Sequence, residues 1–256
     1  MWTCLAGFGL DAAVVYDDTA DVIKGLLLDF YGTVVEEDDE VVASICARAA
    51  ANSTGMVTPA QVGSAWWQAL QAAMAAPVFR PQHTLAVNSL AAALAATGCT
   101  ADPGALCEDQ FRFWRTAPLR AGTRGFLQSN DLPVCVVSNI DRDDLEAAMR
   151  YHGLTFAAVV TSEDARAYKP SPRMFREGLA VLGLRADEVL HVGDSLTADV
   201  TGAQRLGISP VWVNRRQRPV PADVDPASVI VDLADLAAGR CRAERRYLAM
   251  SRLFRR

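Results

Sequence analysis

The sequence predicts an α/β fold with a doubly wound parallel sheet, and two observations support this. In the second half of the chain, short apolar segments alternate with amphipathic ones, as in "LPVCVVSN" followed by "DRDDLEAAMRYHGL". Residues 38–118, in contrast, are rich in alanine, leucine and tryptophan and show no strand-like alternation. Strands that alternate with helices form a parallel sheet covered by helices. We therefore expect one such sheet, with a helical insertion after its first strand.

Six apolar segments are predicted to be strands. Most are continuous apolar runs, as expected of strands buried on both faces of a sheet. In chain order they are "GLLLDF" (25–30), "LPVCVVSN" (132–139), "FAAVVTSED" (156–164), "EVLHVGDS" (188–195), "SPVWVN" (209–214) and "SVIVDL" (228–233). The carboxyl ends of parallel strands lie at one edge of the sheet, so we expect the polar residues there to gather in one crevice.

Helices are predicted between these strands and throughout the insertion. "DRDDLEAAMRYHGL" begins with acidic residues and ends near Gly153, and "SPRMFREGLAVLGL" carries Pro172 in its first turn. A further helix covers 197–206 and ends near Gly207. The helix-like segments of the insertion are "VVASICARAAA", "QVGSAWWQALQAAMAA", "TLAVNSLAAALAATG" and "GALCEDQFRFWR".

These patterns divide the chain into a discontinuous core domain (1–37 and 119–239), a helical domain (38–118) and a C-terminal tail (240–256). The tail contains seven arginines and one glutamate, a net charge of +6, whereas the remainder has 18 basic and 29 acidic residues, a net charge of −11. We interpret the tail as a solvated terminal helix or frayed end. The acidic body gives no support to nucleic-acid binding.

The composition is typical of a globular protein. Hydrophobic residues make up 51% of the chain and charged residues 21%. No apolar run approaches the ~20 residues of a membrane helix, and the N-terminus lacks the basic region of a signal peptide. The six cysteines show no metal-ligand spacing and are expected to be reduced and mostly buried. We expect a cytoplasmic monomer or homodimer with no membrane or nucleic-acid partner.

Polar residues of complementary chemistry lie at four strand ends or in the loops that follow them. They are Asp29 with Thr33, Ser138 with Asn139, Lys169 in "YKPSP", and Asp194 with Asp199 in "VGDSLTADVTGA". An aspartate such as Asp29 can act as a nucleophile of the aspartyl-phosphate type. Asp194 and Asp199 are hard oxygen ligands that could share Mg²⁺ with it. Ser138 and the Lys169 ammonium would hold the oxygens of the transferred group.

In their order and spacing, these motifs resemble the haloacid dehalogenase (HAD) superfamily, in the branch with a helical cap after the first strand. The resemblance runs from about Lys24 to Asp235, and "VVTSEDARAYKPSPRMF" and "EVLHVGDSLTADVTGAQRLGI" are its most specific segments. It implies a Rossmann-like core, a cap at 38–118, a Mg²⁺ cofactor and a small phosphorylated substrate. The implied roles are Asp29 as nucleophile, Ser138 and Lys169 as substrate and charge holders, and Asp29, Asp194, Asp199 and the main-chain carbonyl of Tyr31 as metal ligands. We expect Thr33, Asn139 and His83 to contact the substrate.

Tyr31 departs from the pattern of the superfamily's phosphatases, which usually have an aspartate two residues after the nucleophile. That aspartate acts as general acid and then base, a role typically worth ~10²–10⁴-fold in rate. A phenol, with a pKa of about 10, is a poor base near neutrality. The proton then has to come from the substrate, a water or a cap residue, and His83 is one candidate. His152 and His191 are interpreted as structural.

Several functions remain open. "DFYGT" matches the "DxYGT" pattern common in 2-haloacid dehalogenases, in which halide leaves without a proton. Those enzymes use no metal, typically show "SSN" where this chain has "VGDS", and usually have a tyrosine at the position of Phe175. Phosphonoacetaldehyde hydrolases need a cap lysine, and residues 38–118 contain none. The preferred prediction is a magnesium-dependent phosphatase that favours good leaving groups. The alternatives are a dehalogenase-like hydrolase and a catalytically weak binding relative.

Overall fold

The computed structural model describes residues 23–222, 224 and 226–237. Residues 1–22 and the predicted basic tail at 240–256 lie outside this part of the chain. The strands are β1 (Gly25–Leu28), β2 (Val134–Ser138), β3 (Ala158–Thr161), β4 (Val189–Gly193), β5 (Ser209–Val213) and β6 (Ser228–Ile230). They form one sheet in the order β3-β2-β1-β4-β5-β6.

Helices fill the connections between these strands. They are α1 (Asp39–Ala51), α2 (Pro59–Met74), α3 (Gln82–Thr97), α4 (Pro103–Thr116), α5 (Thr123–Ser129), α6 (Arg142–His152), α7 (Ser162–Ala165), α8 (Pro172–Leu182), α9 (Gly202–Gln204) and α10 (Leu233–Ala237). A π-helical segment, Leu196–Thr201, leads into α9. Short 3₁₀ structure covers Ala186–Glu188.

Every strand pairing in the sheet is parallel, which confirms the predicted α/β fold. β1 pairs with β2 on one side and with β4 on the other. The chain therefore builds outward from β1 to β3 and then crosses back to continue from β4 to β6. In such sheets, ligands bind where the direction of building reverses, beyond the carboxyl ends of the central strands. Here that point lies between β1 and β4.

Both faces of the sheet are buried, which explains why the strand sequences are apolar throughout. Successive side chains of a strand point to opposite faces, and β1 shows this directly. Leu26 and Leu28 belong to a large core that also contains residues of the inserted helices, such as Trp66. Leu27 belongs to a second core together with Phe175 of α8. Helix α8 packs on the face of the sheet that carries Leu27, and the core on the other face is continuous with the core of the inserted helices.

Helices α1–α4 lie between β1 and β2 in the chain, where the sequence predicts a helical insertion. The capping box of Thr58 begins α2, and the Asp102 carboxylate accepts from the first N–H groups of α4. α4 packs against α6, a helix between two strands of the sheet. That these helices form a separate cap domain with the predicted boundaries stays a prediction.

All six predicted strand segments extend beyond the strands of the structure, and in two of them a helix begins within the segment. The segment predicted as a strand over 156–164 leaves the sheet after Thr161, where Thr161 and Asp164 form a capping box that begins α7. This local pair of hydrogen bonds outweighs the apolar pattern before it. The segment predicted over 228–233 ends as a strand at Ile230, and α10 begins at Leu233. Helix α5 was not predicted.

Four cysteines in the described part of the chain are free and buried, as predicted: Cys46, Cys99, Cys107 and Cys135. Among the helices of the same residues, none combines the length and the apolar character needed to cross a membrane.

Candidate active site

Asp29 follows β1 directly and lies at the carboxyl edge of the sheet, with 5% of its surface exposed. Its main-chain N–H donates to the Val192 carbonyl of β4 at 2.9 Å, which fixes the chain beyond the last residue of β1. Gly32 then turns the chain with a φ of +89°. A Cβ at this position would come within 2.7 Å of the Asp194 carboxyl group. Glycine is therefore required for the loops after β1 and β4 to approach each other.

Lys169 connects two buried carboxylates. Its Nζ donates to Asp29 Oδ1 at 2.6 Å and to Asp199 Oδ1 at 2.7 Å, and the residue is 3% exposed. Burial works to lower the pKa of Lys169, but Asp199 and Asp29 raise it above its usual value. The side chain is therefore a fixed ammonium group beside Asp29, as the sequence predicts. It holds one oxygen of Asp29, and the other oxygen has no hydrogen-bond partner among the described residues.

Asn139 fixes the loop that carries this lysine. Its Oδ1 accepts from the Lys169 main-chain N–H at 2.7 Å, and its Nδ2 donates to the Lys169 carbonyl at 3.2 Å. The sequence predicts a substrate contact for Asn139, whereas its amide is engaged with the protein's own main chain. Asn139 therefore positions Lys169, and any contact with the substrate stays a prediction.

Asp199 is held by donors from three parts of the chain. Its Oδ1 accepts from Lys169 and also lies 2.9 Å from His191 Nε2, and its Oδ2 accepts from the Ser195 main-chain N–H at 3.0 Å. Burial opposes its charge, but Lys169 and His191 hold the pKa of Asp199 below its usual range. A Cβ on Gly193 would meet the Asp199 carboxyl carbon at 2.3 Å, so this carboxylate lies directly against the end of β4.

Asp29, Asp194 and Asp199 each offer a carboxylate oxygen within 4.8 Å of the others. Asp29 Oδ2 is buried without a hydrogen-bond partner among the described residues. Burial raises the pKa of Asp194 well above its usual value, and the charges of Asp29 and Asp199 raise it further. The three carboxylates repel one another, and one of their oxygens has no other partner. Such a cluster of hard oxygen donors suits a divalent cation such as Mg²⁺. The predicted metal roles of these three residues and of the Tyr31 carbonyl remain predictions.

The structure also places Ser138 and Thr33 at this edge of the sheet. Ser138 is the last residue of β2 and is 2% exposed. Thr33 is 1% exposed, and its Oγ1 has no hydrogen-bond partner in the part of the chain that the structure describes. A buried hydroxyl without a partner is available to a ligand. The predicted roles of both residues towards substrate are therefore compatible with their positions.

The Tyr31 phenol is directed to helix α4. Its hydroxyl donates to the Trp114 carbonyl at 2.7 Å. Burial raises the pKa of Tyr31 well above its usual value, and the carboxylates of Asp144, Asp38 and Asp29 add to this effect. The phenol therefore stays protonated at any ordinary pH, and its proton is already donated within the protein. At the position where phosphatases of the superfamily that the sequence resembles usually have an aspartate, this chain has a contact with an inserted helix.

His83 lies where helix α3 contacts α6. Its Nε2 is 2.6 Å from Asp144 Oδ2, and its ring stacks on Phe111 with a centroid distance of 3.8 Å. The Asp141 carboxylate accepts from the His83 main-chain N–H, and Arg115 donates to the other Asp144 oxygen. One ring nitrogen of His83 is thus committed to Asp144. The proton-donor role predicted for His83 gains no support from this geometry.

This contact is expected to make stability depend on pH. The hydrogen bond with Asp144 raises the pKa of His83 although burial works to lower it. A raised pKa in the folded state means that the contribution is complete below the unfolded pKa of about 6.5 and is lost as pH rises through the folded pKa. We expect His83→Gln to lower the free energy of unfolding by about 1 kcal/mol more near pH 6 than near pH 9.

Urea unfolding at the two pH values measures this difference. Arg115→Gln is the matched control, because it removes a donor from the same Asp144 carboxylate but a guanidinium does not titrate in this range. An equal loss of stability for His83→Gln at both pH values would contradict the prediction.

The sequence did not predict several contacts of these residues. His191 was interpreted as structural, yet it contacts Asp199; a histidine inside an apolar strand was the available signal. Asp144 and Arg115 hold His83, and no local pattern marked them because the partners lie far apart in the chain. His152 contacts the Ala117 carbonyl at 2.7 Å, which agrees with a structural role.

A cleft of about 1030 Å³ opens beside Asp194 and Ser195. Both connections between the inserted helices and the sheet contribute to its walls, through Glu36 and Glu37 in the first and Pro118 and Arg120 in the second. Four arginines also line it: Arg120, Arg215, Arg216 and Arg218. Two of them pair with acidic residues of the first connection, Arg215 with Glu36 and Arg216 with Glu37. The cleft gives solvent access to the acidic side of the site.

Comparisons with known proteins agree with the family resemblance of the sequence motifs. The family of haloacid dehalogenase-like hydrolases matches residues 23–207. Haloacid dehalogenase-like hydrolase domain-containing protein 3 of Danio rerio is 40% identical over 106 residues, which cover 40% of this chain and 43% of that protein. Phosphoserine phosphatase of Thermus thermophilus is 32% identical over 138 residues, 51% of this chain and 55% of that protein. The chain thus spans about half the length of these relatives.

Among solved structures, the L-2-haloacid dehalogenase of Xanthobacter autotrophicus superimposes with a TM-score of 0.65 at 23% sequence identity. The superposition covers 85% of this chain and 98% of the dehalogenase. At this identity the similarity concerns the fold.

Proposed function

We propose that this chain, which belongs to the haloacid dehalogenase-like hydrolase family, is a magnesium-dependent phosphatase of a small phosphorylated metabolite. The proposed intermediate is an aspartyl phosphate at Asp29. The observation that carries the proposal is the cluster of three carboxylates, Asp29, Asp194 and Asp199. Within it, Asp29 Oδ2 has no hydrogen-bond partner among the described residues. Carbon–halogen hydrolysis by an aspartate does not require such a group, whereas phosphoryl transfer uses a cation to offset charge.

In this reaction, each of these residues would have a separate role. Asp29 attacks phosphorus, the bond between phosphorus and the leaving-group oxygen breaks, and the phosphoryl group is carried on the Asp29 carboxylate. Water then attacks phosphorus, the bond between phosphorus and the Asp29 oxygen breaks, and phosphate leaves with the water's oxygen and protons, which restores the Asp29 carboxylate. Lys169 and Ser138 would hold the phosphoryl oxygens, and a bound Mg²⁺ would supply further charge stabilisation. The metal would be held by Asp29, Asp194 and Asp199.

We also propose that α1–α4 act as a cap. Asp29, Ser138 and Lys169 are each at most 5% exposed, so the phosphate reaches Asp29 in a water-poor site. Tyr31 and Asp144, which lie outside the insertion, contact Trp114 and His83 within it. Exclusion of water strengthens electrostatic interactions at the reaction centre. The substrate's leaving group would be recognised between these helices and the sheet.

A dehalogenase-like hydrolase is the second candidate, and Tyr31 is the observation that favours it. No carboxylic acid occupies the position of the usual proton donor, and halide departs without needing one. For the phosphatase, the same absence predicts a preference for good leaving groups, such as aryl and acyl phosphates, over sugar alcohol phosphates.

One set of assays distinguishes these candidates. We expect the purified protein to release phosphate from an aryl phosphate and from acetyl phosphate in the presence of Mg²⁺. EDTA should abolish this activity, and excess Mg²⁺ should restore it. Halide release from 2-chloropropionate that continues in EDTA would instead establish the dehalogenase. A protein that turned over none of these compounds but bound inorganic phosphate would be a binding relative.

A further inference from the structure

His191 is an unusual occupant of its position. It is the central residue of β4, all five residues of that strand are buried, and its own exposure is 0%. β4 pairs with β1 and β5, so it is an interior strand of the sheet. A parallel strand buried on both faces normally carries apolar side chains. The imidazole brings two nitrogen atoms that need partners there.

Those needs are only half met. His191 Nε2 lies 2.9 Å from Asp199 Oδ1, whereas Nδ1 is buried with no hydrogen-bond partner among the described residues. The ring also packs edge-on against Phe175 at a centroid distance of 5.0 Å. A buried polar atom without a partner opposes folding. Packing alone would be served as well by leucine or methionine, so the contact with Asp199 is what distinguishes histidine here.

His191 is connected to Asp29 through the side chains of Asp199 and Lys169. Both oxygens of Asp199 accept from other groups, Oδ1 from Lys169 and Oδ2 from the Ser195 N–H, so His191 Nε2 is the donor in its contact with Oδ1. The same oxygen accepts from Lys169 Nζ, which donates in turn to Asp29 Oδ1. With His191 on one side and the Ser195 N–H on the other, Asp199 has little freedom to rotate. Lys169 is thereby aimed at Asp29.

We propose that His191 is a positioning residue of this site, acting through Asp199 to hold Lys169 against Asp29. It does not touch the substrate. The inference rests on the proposed function only for its effect on turnover, because the arrangement of Lys169 can be measured without any substrate.

Two substitutions separate the hydrogen bond from the packing. In His191→Gln the amide nitrogen is as many bonds from the main chain as Nε2, so a donor to Asp199 is retained. His191→Met keeps a side chain of similar size but has no donor. Leu190→Met is the matched control, because it puts methionine at the neighbouring buried position of β4. We expect His191→Met to lower kcat for an aryl phosphate about 10- to 100-fold with little change in KM, as for a misplaced catalytic group.

The second measurement needs no activity and uses the chain's scarcity of lysine. Lys24 and Lys169 are the two lysines of the sequence. The Lys24 side chain is 48% exposed and the Lys169 side chain 2%. Cyanate carbamoylates lysine side chains, and mass spectrometry measures the extent at each one. The rate at Lys169 can therefore be compared with the rate at Lys24 as an internal standard. In His191→Met we expect the relative rate at Lys169 to rise about tenfold. His191→Gln and Leu190→Met should stay within about threefold of the unchanged protein.

The outcomes are separable. If the unchanged protein turns over no phosphate ester, the proposed function fails, and the Lys169 labelling rates still test the role of His191. If His191→Met leaves Lys169 as protected as before, or if His191→Gln behaves like His191→Met in both measurements, the positioning role is wrong.

Discussion

Replacing Asp29 with asparagine is expected to lower kcat for phosphate release at least about 10⁴-fold, because the amide cannot form the aspartyl phosphate. The substitution keeps the shape of the side chain and leaves Lys169 paired with Asp199. Burial raises the pKa of Asp29, so its charge is held at a cost to folding. The variant should therefore fold, and thermal unfolding followed by circular dichroism checks this before kcat is measured.

Asp187→Asn is the matched control for this change. It removes a carboxylate that is 54% exposed and pairs with Arg185 far from the site. Its kcat should equal that of the unchanged protein. If folded Asp29→Asn kept more than about 1% of the phosphatase activity, Asp29 would not be the nucleophile. The same variant tests the dehalogenase alternative, since an ester intermediate at Asp29 would be lost as well.

The arrangement around Asp29 could be anticipated because it follows from the geometry of parallel strands. Leu28 pairs with Val192 in the register of β1 and β4. The residues that come after these two strands must therefore lie side by side, whatever the helices between them do. Asp29 and Asp194 are such residues, and their chemical type was readable from the sequence. Lys169 belongs to a loop rather than a strand, so the register of the strands does not by itself place it beside Asp29.

Contacts between distant segments could not be anticipated in the same way. The packing of α4 against both α3 and α6 brings His83 to Asp144, and none of these helices carries a local pattern that encodes its neighbours. Asn139 was expected to contact the substrate; its amide makes two hydrogen bonds to the Lys169 main chain, which the sequence did not predict, and the substrate contact stays a prediction. A short polar side chain at a strand end satisfies either role, and only the fold selects between them.

The contact of Tyr31 could not be predicted from the sequence either, although the choice of function depends on this residue. The sequence establishes that no carboxylic acid is present, but it does not show what the phenol contacts. In the structure, the hydroxyl joins the loop after β1 to the end of α4 through the Trp114 carbonyl. At this position the chain has no acidic proton donor but a side chain that contacts an inserted helix. This difference makes a specific substitution informative.

Tyr31→Asp is expected to raise kcat/KM for alkyl phosphates about 10²-fold or more, because it restores a proton donor two residues after Asp29. Burial and the carboxylates of Asp144, Asp38 and Asp29 raise the pKa of the present phenol. The same surroundings would raise the pKa of the new carboxyl group and keep it protonated, as a general acid must be. Activity towards aryl phosphates should change much less, since their leaving groups need little protonation.

The matched control is Tyr31→Asn. Asparagine is as short as aspartate, and neither side chain can replace the hydrogen bond from the phenol to the Trp114 carbonyl. Asparagine, however, has no acidic proton. Comparison of the two variants separates proton transfer from loosening of α4. If both variants gained alkyl-phosphatase activity equally, helix movement would be the cause. If Tyr31→Asp folded, bound Mg²⁺ and gained nothing, the leaving group would obtain its proton from another source, and the tyrosine would mark a site adapted to leaving groups that depart without one.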